Sequence, residues 1–176
     1  MEQVEVEGLR IAYERAGAGP PLVLLHGYVG DGPTLWRRQL DELCDQFTVV
    51  AWDAPGAGGS ADPPESFGLA GYADCLAGFI QRLGLEEPHV AGLSFGGILA
   101  LALCGRHPEI PATLILASAY AGDRDVRAPL TVAEDLHDSI RGSTLVVLPD
   151  AGHLGSIEAP AEFNRAVRAF LSDRRS

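Results

Sequence analysis

The chain has 176 residues, 47% of them hydrophobic and 21% charged, which is typical of one folded domain and excludes a disordered or fibrous chain. Acidic residues outnumber basic ones by 24 to 13, giving a net charge of -11, so nucleic acid is not expected as a partner. The longest apolar runs, such as Leu22 to Leu25 and Leu99 to Cys104, are far shorter than the roughly 20 residues of a membrane span. We therefore expect a single domain over residues 1–176 with no membrane span.

Neither the start of the chain nor its cysteines indicate export. Met1 to Glu5 lacks the basic and then apolar pattern of a signal peptide. The three cysteines, Cys44, Cys75 and Cys104, are odd in number and scattered, which favours reduced thiols over disulfides. The sequence therefore predicts a cytoplasmic protein.

Strand and helix patterns alternate along the chain. Val4 to Tyr13 alternates like a hairpin, and helical stripes run from Tyr72 to Leu83 and from Phe163 to Leu171, which we assign to the core. Continuous apolar runs predict five strands buried on both faces: Leu22 to His26, Phe47 to Trp52, His89 to Leu93, Thr113 to Ser118 and Thr144 to Leu148. This order predicts an α/β fold, with a mostly parallel sheet flanked by helices on both faces.

The strongest local motif is a glycine-rich turn, Gly92-Leu93-Ser94-Phe95-Gly96-Gly97. It lies between the predicted strand His89 to Leu93 and the helical run Ile98 to Cys104, the context of a nucleophile elbow. Such a turn projects a serine hydroxyl above the sheet, and the helix N-terminus offers backbone donors to a developing negative charge. A structural glycine turn is the alternative, but the placement favours Ser94 as a nucleophile.

Two further motifs follow predicted strands. His26-Gly27-Tyr28 ends the first core strand, and Asp53 to Ser60 reads DAPGAGGS after the second. Together with the serine turn, these motifs resemble the α/β-hydrolase family. The resemblance implies that the backbone N–H groups of Tyr28 and Phe95 form an oxyanion hole. We interpret the side chain of His26 as structural and that of Asp53 as a holder of loop backbone.

A serine nucleophile needs a base, and the chain has five histidines. His153 lies just past the predicted strand Thr144 to Leu148, where catalytic groups gather in parallel sheets. The Gly-His pair followed by Glu158-Ala159-Pro160 also resembles the final block of the family. The remaining histidines after His26 have ordinary structural explanations: His89, His107 and His137.

The carboxylate that orients the imidazole is assigned from the resemblance to the α/β-hydrolase family. Gly122-Asp123-Arg124-Asp125 resembles the acid loop of the family, which implies Asp125 as the third member of a triad. Asp123 is assigned to loop structure, and Asp150 is a rival for orienting His153. The order of nucleophile, acid and base along the chain agrees with the hydrolase order.

The sequence departs from the family after the strand Thr113 to Ser118. The interval to Asp125 has no room for the family's helical cap or for a separate strand before the acid loop, so we expect a core lacking the cap and one late strand. In one arrangement Thr144 to Leu148 becomes the neighbour of the earlier strand, the sheet closes up, and His153 shifts by about 4.8 Å. In the other, the terminal portion exchanges between two chains and gives a domain-swapped homodimer.

The resemblance implies a serine hydrolase that cleaves small-molecule carboxylic esters or lactones through an acyl-enzyme. Neither a metal nor a cofactor is expected. Loss of the cap would expose an apolar substrate-binding surface above the serine, formed by Tyr28, Phe95, Tyr120 and Leu154. The alternative is a pseudoenzyme or binding module in which the shortening has destroyed the triad geometry.

Overall fold

The computed structural model describes residues 1–117 and 130–172. Within those ranges six strands and seven helices follow in the order β1 (Glu2–Val6), β2 (Leu9–Ala16), β3 (Pro21–Leu25), α1 (Gly32–Leu35), α2 (Arg37–Leu43), β4 (Thr48–Trp52), α3 (Gly68–Arg82), β5 (His89–Leu93), α4 (Phe95–Arg106), β6 (Thr113–Ala117), α5 (Leu130–Ser139), α6 (Gly155–Glu158) and α7 (Pro160–Ser172). The predicted hairpin, the first four core strands and the two helical stripes are confirmed.

The strands form one sheet in the order β1-β2-β4-β3-β5-β6. The β1–β2 and β2–β4 pairs are antiparallel, and the three remaining pairs are parallel. The chain passes from β4 at one side of β3 to β5 at its other side, so the strand order reverses at β3. Turns at the carboxyl ends of strands diverge at such a point and leave space for a ligand. The predicted α/β fold class is confirmed.

Helices cover both faces of the sheet, as the continuous apolar runs predicted. In β3, Val23 and Leu25 pack toward α3 and α4, whereas Leu22 and Leu24 pack toward α1, α2 and α7. All four side chains are buried, because alternate residues of a strand point to opposite faces and both faces are covered. Burial of each such side chain contributes about 1.5–3 kcal/mol to folding.

The predicted strand Thr144 to Leu148 is wrong. Only Leu148 makes a bridge, and Val146 and Val147 are 47% and 39% exposed. A cleft of about 430 Å³ is lined by both β6 and this segment, and in the described residues β6 pairs with β5 alone, so the ladder expected between β6 and this segment is not formed there. Apolar β-branched residues favour a strand, but a strand forms only where another backbone supplies the hydrogen-bond ladder.

The acid loop falls in residues 118–129, outside the described residues. Beyond that gap the chain continues in helix α5. None of the helices in the described ranges is both long and apolar enough to cross a membrane.

The thiol of Cys75 is buried, and burial raises its pKa to about 11, which makes that thiol unreactive near neutral pH.

Candidate active site

Ser94 lies on a strained turn between β5 and α4. Its backbone has φ 53° and ψ -113°, a conformation disfavoured for residues with a Cβ. A Cβ at Gly92 would collide with the backbone of Gly96, and one at Gly96 would collide with the carbonyl oxygens of Leu25 and His26. The glycines on either side of Ser94 therefore allow α4 to pass directly over the ends of β3 and β5.

The hydroxyl of Ser94 meets the imidazole of His153. His153 Nε2 lies 3.0 Å from Ser94 Oγ, and both side chains are half-buried. The turn itself is held to the sheet because the Ser94 N–H donates to the carbonyl oxygen of Ala117 at 3.0 Å. The distance is within hydrogen-bond range, so His153 reaches Ser94 in the shortened chain. An imidazole in this position can accept the hydroxyl proton.

Two predicted site residues, Asp125 and Tyr120, lie outside the described residues and stay predictions. Asp150, the rival acid, lies three residues before His153 on the surface with φ 57°. An aspartate tolerates this left-handed conformation better than most residues, which suits a role in the turn.

The residues Tyr28 and Phe95 lie at the same end of the sheet as Ser94. A Cβ at Gly27 would lie 3.7 Å from the Ser94 Cβ, so the turn carrying Tyr28 runs beside the serine. Phe95 is the first residue of α4, where the N–H has no acceptor within the helix. Neither the Tyr28 N–H nor the Phe95 N–H donates to another backbone group in the described ranges. Both residues remain candidates for the predicted oxyanion hole.

His26 fixes the turn beside these donors. Its Nε2 accepts the Ala54 N–H at 3.0 Å, so the neutral ring carries its proton on Nδ1, which donates to the Gly27 carbonyl oxygen at 2.7 Å. Burial lowers the pKa of His26 and keeps it neutral. The prediction of a buried structural histidine that bonds nearby backbone is confirmed.

Asp53 joins two loops below the site. Its Oδ1 accepts the Gly32 N–H at 2.9 Å, its Oδ2 accepts the Gly59 N–H at 2.8 Å, and the residue is fully buried. Both carboxylate oxygens thus bind loop backbone, which confirms the architectural role expected for Asp53.

An aromatic row borders Ser94. Ring centroids lie 6.1 Å apart between Tyr28 and Phe95, 5.9 Å between Phe95 and Tyr72, and 5.1 Å between Tyr72 and Phe67, each pair edge to face. Tyr28 is 85% exposed at the end of this row. Tyr72 was predicted only as part of the helical core stripe, and Phe67 was not among the predicted site residues. The available signal was their position at the start of α3, which follows the carboxyl end of β4.

The other three histidines bond side chains elsewhere in the fold. These contacts are His89 Nδ1 with Thr113 Oγ1 at 2.9 Å, His107 Nε2 with Asp74 Oδ1 at 2.8 Å, and His137 Nδ1 with Ser143 Oγ at 2.6 Å. Their structural interpretation is confirmed, and His153 is the histidine that contacts Ser94.

Comparison with known proteins identifies the family. A family profile described as the α/β hydrolase fold matches residues 20–121, more than half of the chain. The chain belongs to the α/β-hydrolase family. The match includes the turns after β3, β4 and β5 that carry Tyr28, Asp53 and Ser94.

Relatives of this hydrolase-family chain are longer. An uncharacterised protein of Mycobacterium tuberculosis is 34% identical over 128 residues, covering 73% of this chain and 37% of the relative. A 2-hydroxymuconate semialdehyde hydrolase of a Pseudomonas species is 34% identical over 137 residues, covering 76% of this chain and 47% of that enzyme. The chain therefore spans less than half the length of these curated relatives.

The fold is also that of a solved hydrolase. A thermophilic esterase from Thermogutta terrifontis superposes with a TM-score of 0.92 at 23% identity, covering 98% of this chain and 99% of the esterase chain. This likeness shows that the two chains share a fold.

Proposed function

We propose that this chain is a serine hydrolase of carboxylic esters or lactones, with Ser94 as nucleophile and His153 as base. The observation that carries the proposal is the 3.0 Å contact between Ser94 Oγ and His153 Nε2. Membership of the α/β-hydrolase family and the fold shared with an esterase support it. The strained turn at Ser94 supports it further, because such strain concentrates at reactive residues.

The proposed reaction has two stages. Ser94 Oγ attacks the acyl carbon while its proton passes to His153 Nε2, and the imidazolium then protonates the departing alkoxide. Negative charge on the carbonyl oxygen is stabilised by the N–H groups of Tyr28 and Phe95, each such donor being worth about 10²–10³ in rate. A water molecule, deprotonated by His153, releases the acyl group and regenerates Ser94.

Asp125 is proposed to orient His153 through Nδ1. Because Nε2 of the ring faces Ser94, Nδ1 is the nitrogen that a carboxylate would hold. Asp125 precedes His153 in the chain order of the family, and the motif Gly122 to Asp125 resembles its acid loop.

The substrate proposed for this site carries an apolar group. The aromatic row ends at the exposed ring of Tyr28, and Leu154, next to the base, is 37% exposed. Together with Phe95 and Tyr120, these side chains would bind the acyl or alcohol portion through apolar contacts. The absence of a cap, proposed from the short interval after β6, would leave this surface open to solvent.

The alternative, an impaired scaffold, is less well supported. In that alternative the shortening of the chain has destroyed the triad geometry, for which a misplacement of about 1 Å is enough. The hydrogen-bond distance between Ser94 and His153 favours an enzyme instead.

The test is hydrolysis of short-chain activated esters by the wild type and by Ser94→Ala, with Ser139→Ala on the exposed side of α5 as the control. We expect activity in the wild type and in the control, and loss of at least about 10³-fold in Ser94→Ala. Mass spectrometry should detect an acyl adduct on Ser94 during turnover. Equal rates in the wild type and Ser94→Ala would contradict the proposal.

A further inference from the structure

A single carboxylate binds the backbone on both sides of His153. Glu158 Oε2 accepts the N–H of Gly152 at 2.6 Å, and Glu158 Oε1 accepts the N–H of Leu154 at 3.0 Å. These two residues flank the proposed base. We call this pair of contacts the Glu158 clamp.

The glycine on one side of His153 makes the clamp possible. A Cβ at Gly152 would lie 3.1 Å from Glu158 Oε2 and 3.3 Å from Oε1, closer than most real contacts of a Cβ. The carboxylate therefore packs directly over the backbone of Gly152. A side chain at that position would displace the carboxylate by a few tenths of an ångström.

A buried amide holds the same turn from the inside. Gln39 of α2 donates from Nε2 to the Ser156 carbonyl oxygen at 3.1 Å and to Asn164 Oδ1 of α7 at 2.9 Å. All three residues are buried. The segment after His153 is thus fixed to two helices, with Glu158 closing the turn from the solvent side.

Segment 144–148, which precedes His153, forms no strand ladder within residues 1–117 and 130–172. The segment makes one bridge, at Leu148, and a cleft is lined by both the segment and β6. A strand in a parallel sheet positions the residue that follows it through a ladder of hydrogen bonds. The hydrogen bonds of Glu158 to the turn that carries His153 therefore contribute to the position of its ring.

We propose that Glu158 is a positioning residue for the reaction, holding His153 Nε2 within reach of Ser94 Oγ through the backbone of Gly152 and Leu154. The inference rests on the proposed function, because positioning matters only if His153 accepts the serine proton. Hydrogen bonds to an ionised carboxylate are stronger than neutral ones, so one side chain can fix the turn. A displacement of the base by about 1 Å can cost about 10²-fold in rate.

The test compares Glu158→Gln with Glu162→Gln, the same acid-to-amide change four residues further along the chain. An amide offers one oxygen for two N–H groups, so Glu158→Gln releases Gly152 or Leu154. We expect kcat to fall about 10- to 100-fold with KM changed less than about twofold. Glu162→Gln should retain the wild-type kcat. Gly152→Ala, which displaces the carboxylate from the opposite side, should lower kcat in the same way.

Amide hydrogen exchange measured by NMR tests the clamp without any substrate. In Glu158→Gln the N–H groups of Gly152 and Leu154 should exchange faster than in the wild type, whereas Glu162→Gln should leave both unchanged. Thermal unfolding of each variant, with assays well below the midpoint, separates mispositioning from unfolding.

Exchange at both amides as slow as in the wild type, or a kcat equal to that of Glu162→Gln, would overturn the inference. A wild type that neither hydrolyses activated esters nor forms an adduct would contradict the proposed function. In that case amide exchange, together with NMR contacts between the His153 ring and Ser94, decides whether Glu158 holds the turn.

Discussion

Leu25 of β3 pairs in parallel register with Gly92 of β5, so the turns that follow the two strands leave the sheet side by side. One turn carries Tyr28 and the other carries Ser94. Parallel neighbours end at the same edge of a sheet, and this register places the turn that carries Tyr28 beside the turn that carries Ser94. The two turns can lie side by side only because α4 passes close over the end of β3.

Gly96→Ala should therefore weaken both the fold and the activity. Its Cβ would collide with the carbonyl oxygens of Leu25 and His26, and we expect a loss of about 1–3 kcal/mol in the free energy of unfolding. Gly105, also in α4, faces open space, so Gly105→Ala should stabilise by about 0.5–1 kcal/mol. Urea unfolding of both variants measures the difference. Equal changes in the free energy of unfolding for Gly96→Ala and Gly105→Ala would argue against a close contact at Gly96.

His26 makes stability depend on pH. Burial holds its folded-state pKa below the ordinary value of 6.5, so above that value the ring is neutral in both states and its contribution is complete. As the pH falls below 6.5, the unfolded chain binds the proton first, and the free energy of unfolding decreases until the folded pKa is reached. His26→Asn, which cannot bind a proton, should reduce this slope and cost about 1–3 kcal/mol at neutral pH by unpairing the Ala54 N–H.

The measurement for His26 is urea unfolding of the wild type and His26→Asn across this pH range. The stability difference between the two proteins should narrow as the medium becomes more acidic. A difference that stays constant, or grows, would mean that His26 is not held neutral in the fold.

Asp74 contributes to the pH dependence of stability at lower pH than His26 does. Arg106 first and then His107 lower its pKa from 3.8 to about 2, so its contribution is complete above pH 3.8 and is lost between 3.8 and about 2. Because the side chain is 38% exposed, solvent screening limits the contribution to about 1 kcal/mol or less. Asp74→Asn should be slightly less stable at neutral pH, and this difference should shrink in about 1 M salt. A salt-independent difference would contradict an ionic origin.

Tyr28 should select substrates with an aromatic group. Its ring is 85% exposed and meets Phe95 edge to face, leaving a face for a substrate ring. An added aromatic pair is worth about 0.5–1.5 kcal/mol, so Tyr28→Ala should lower kcat/KM for aryl-substituted esters about two- to tenfold more than for alkyl esters. Val29 is 80% exposed next to it, and Val29→Ala should not discriminate between the two series. An equal loss of kcat/KM for aryl and alkyl esters in Tyr28→Ala would contradict this role for Tyr28.

The sequence predicted those parts of the fold in which local pattern and tertiary structure agree. His89 to Leu93 forms a strand with the predicted bounds, because the apolar run is buried on both faces and ends at a glycine-rich turn. Thr144 to Leu148 has an equally apolar run but no strand. The composition of a segment reports its preference for burial, whereas strand pairing depends on a neighbour elsewhere in the chain.

In the active site, too, some residues were predicted from the sequence and some contacts were not. Ser94 and His153 were predicted from motifs, and the structure brings their side chains together. Glu158 was noticed only as part of a motif, because its contact with two N–H groups depends on how α6 folds back on the turn. The aromatic row was not foreseen, since Tyr72 fits the helical core stripe by spacing alone. Side-chain contacts between separate turns are not encoded in local periodicity.

Labelling by a serine-directed phosphonate tests the pairing of Ser94 with His153 most directly, because the reagent reports activation of the hydroxyl without requiring the natural substrate. We predict a label at Ser94 in the wild type, located by peptide mass spectrometry, and labelling about 10²–10⁴-fold slower in His153→Ala. His137→Ala, which changes a histidine on α5, should label like the wild type. Labelling at equal rates in the wild type and His153→Ala, or at a residue other than Ser94, would contradict the account.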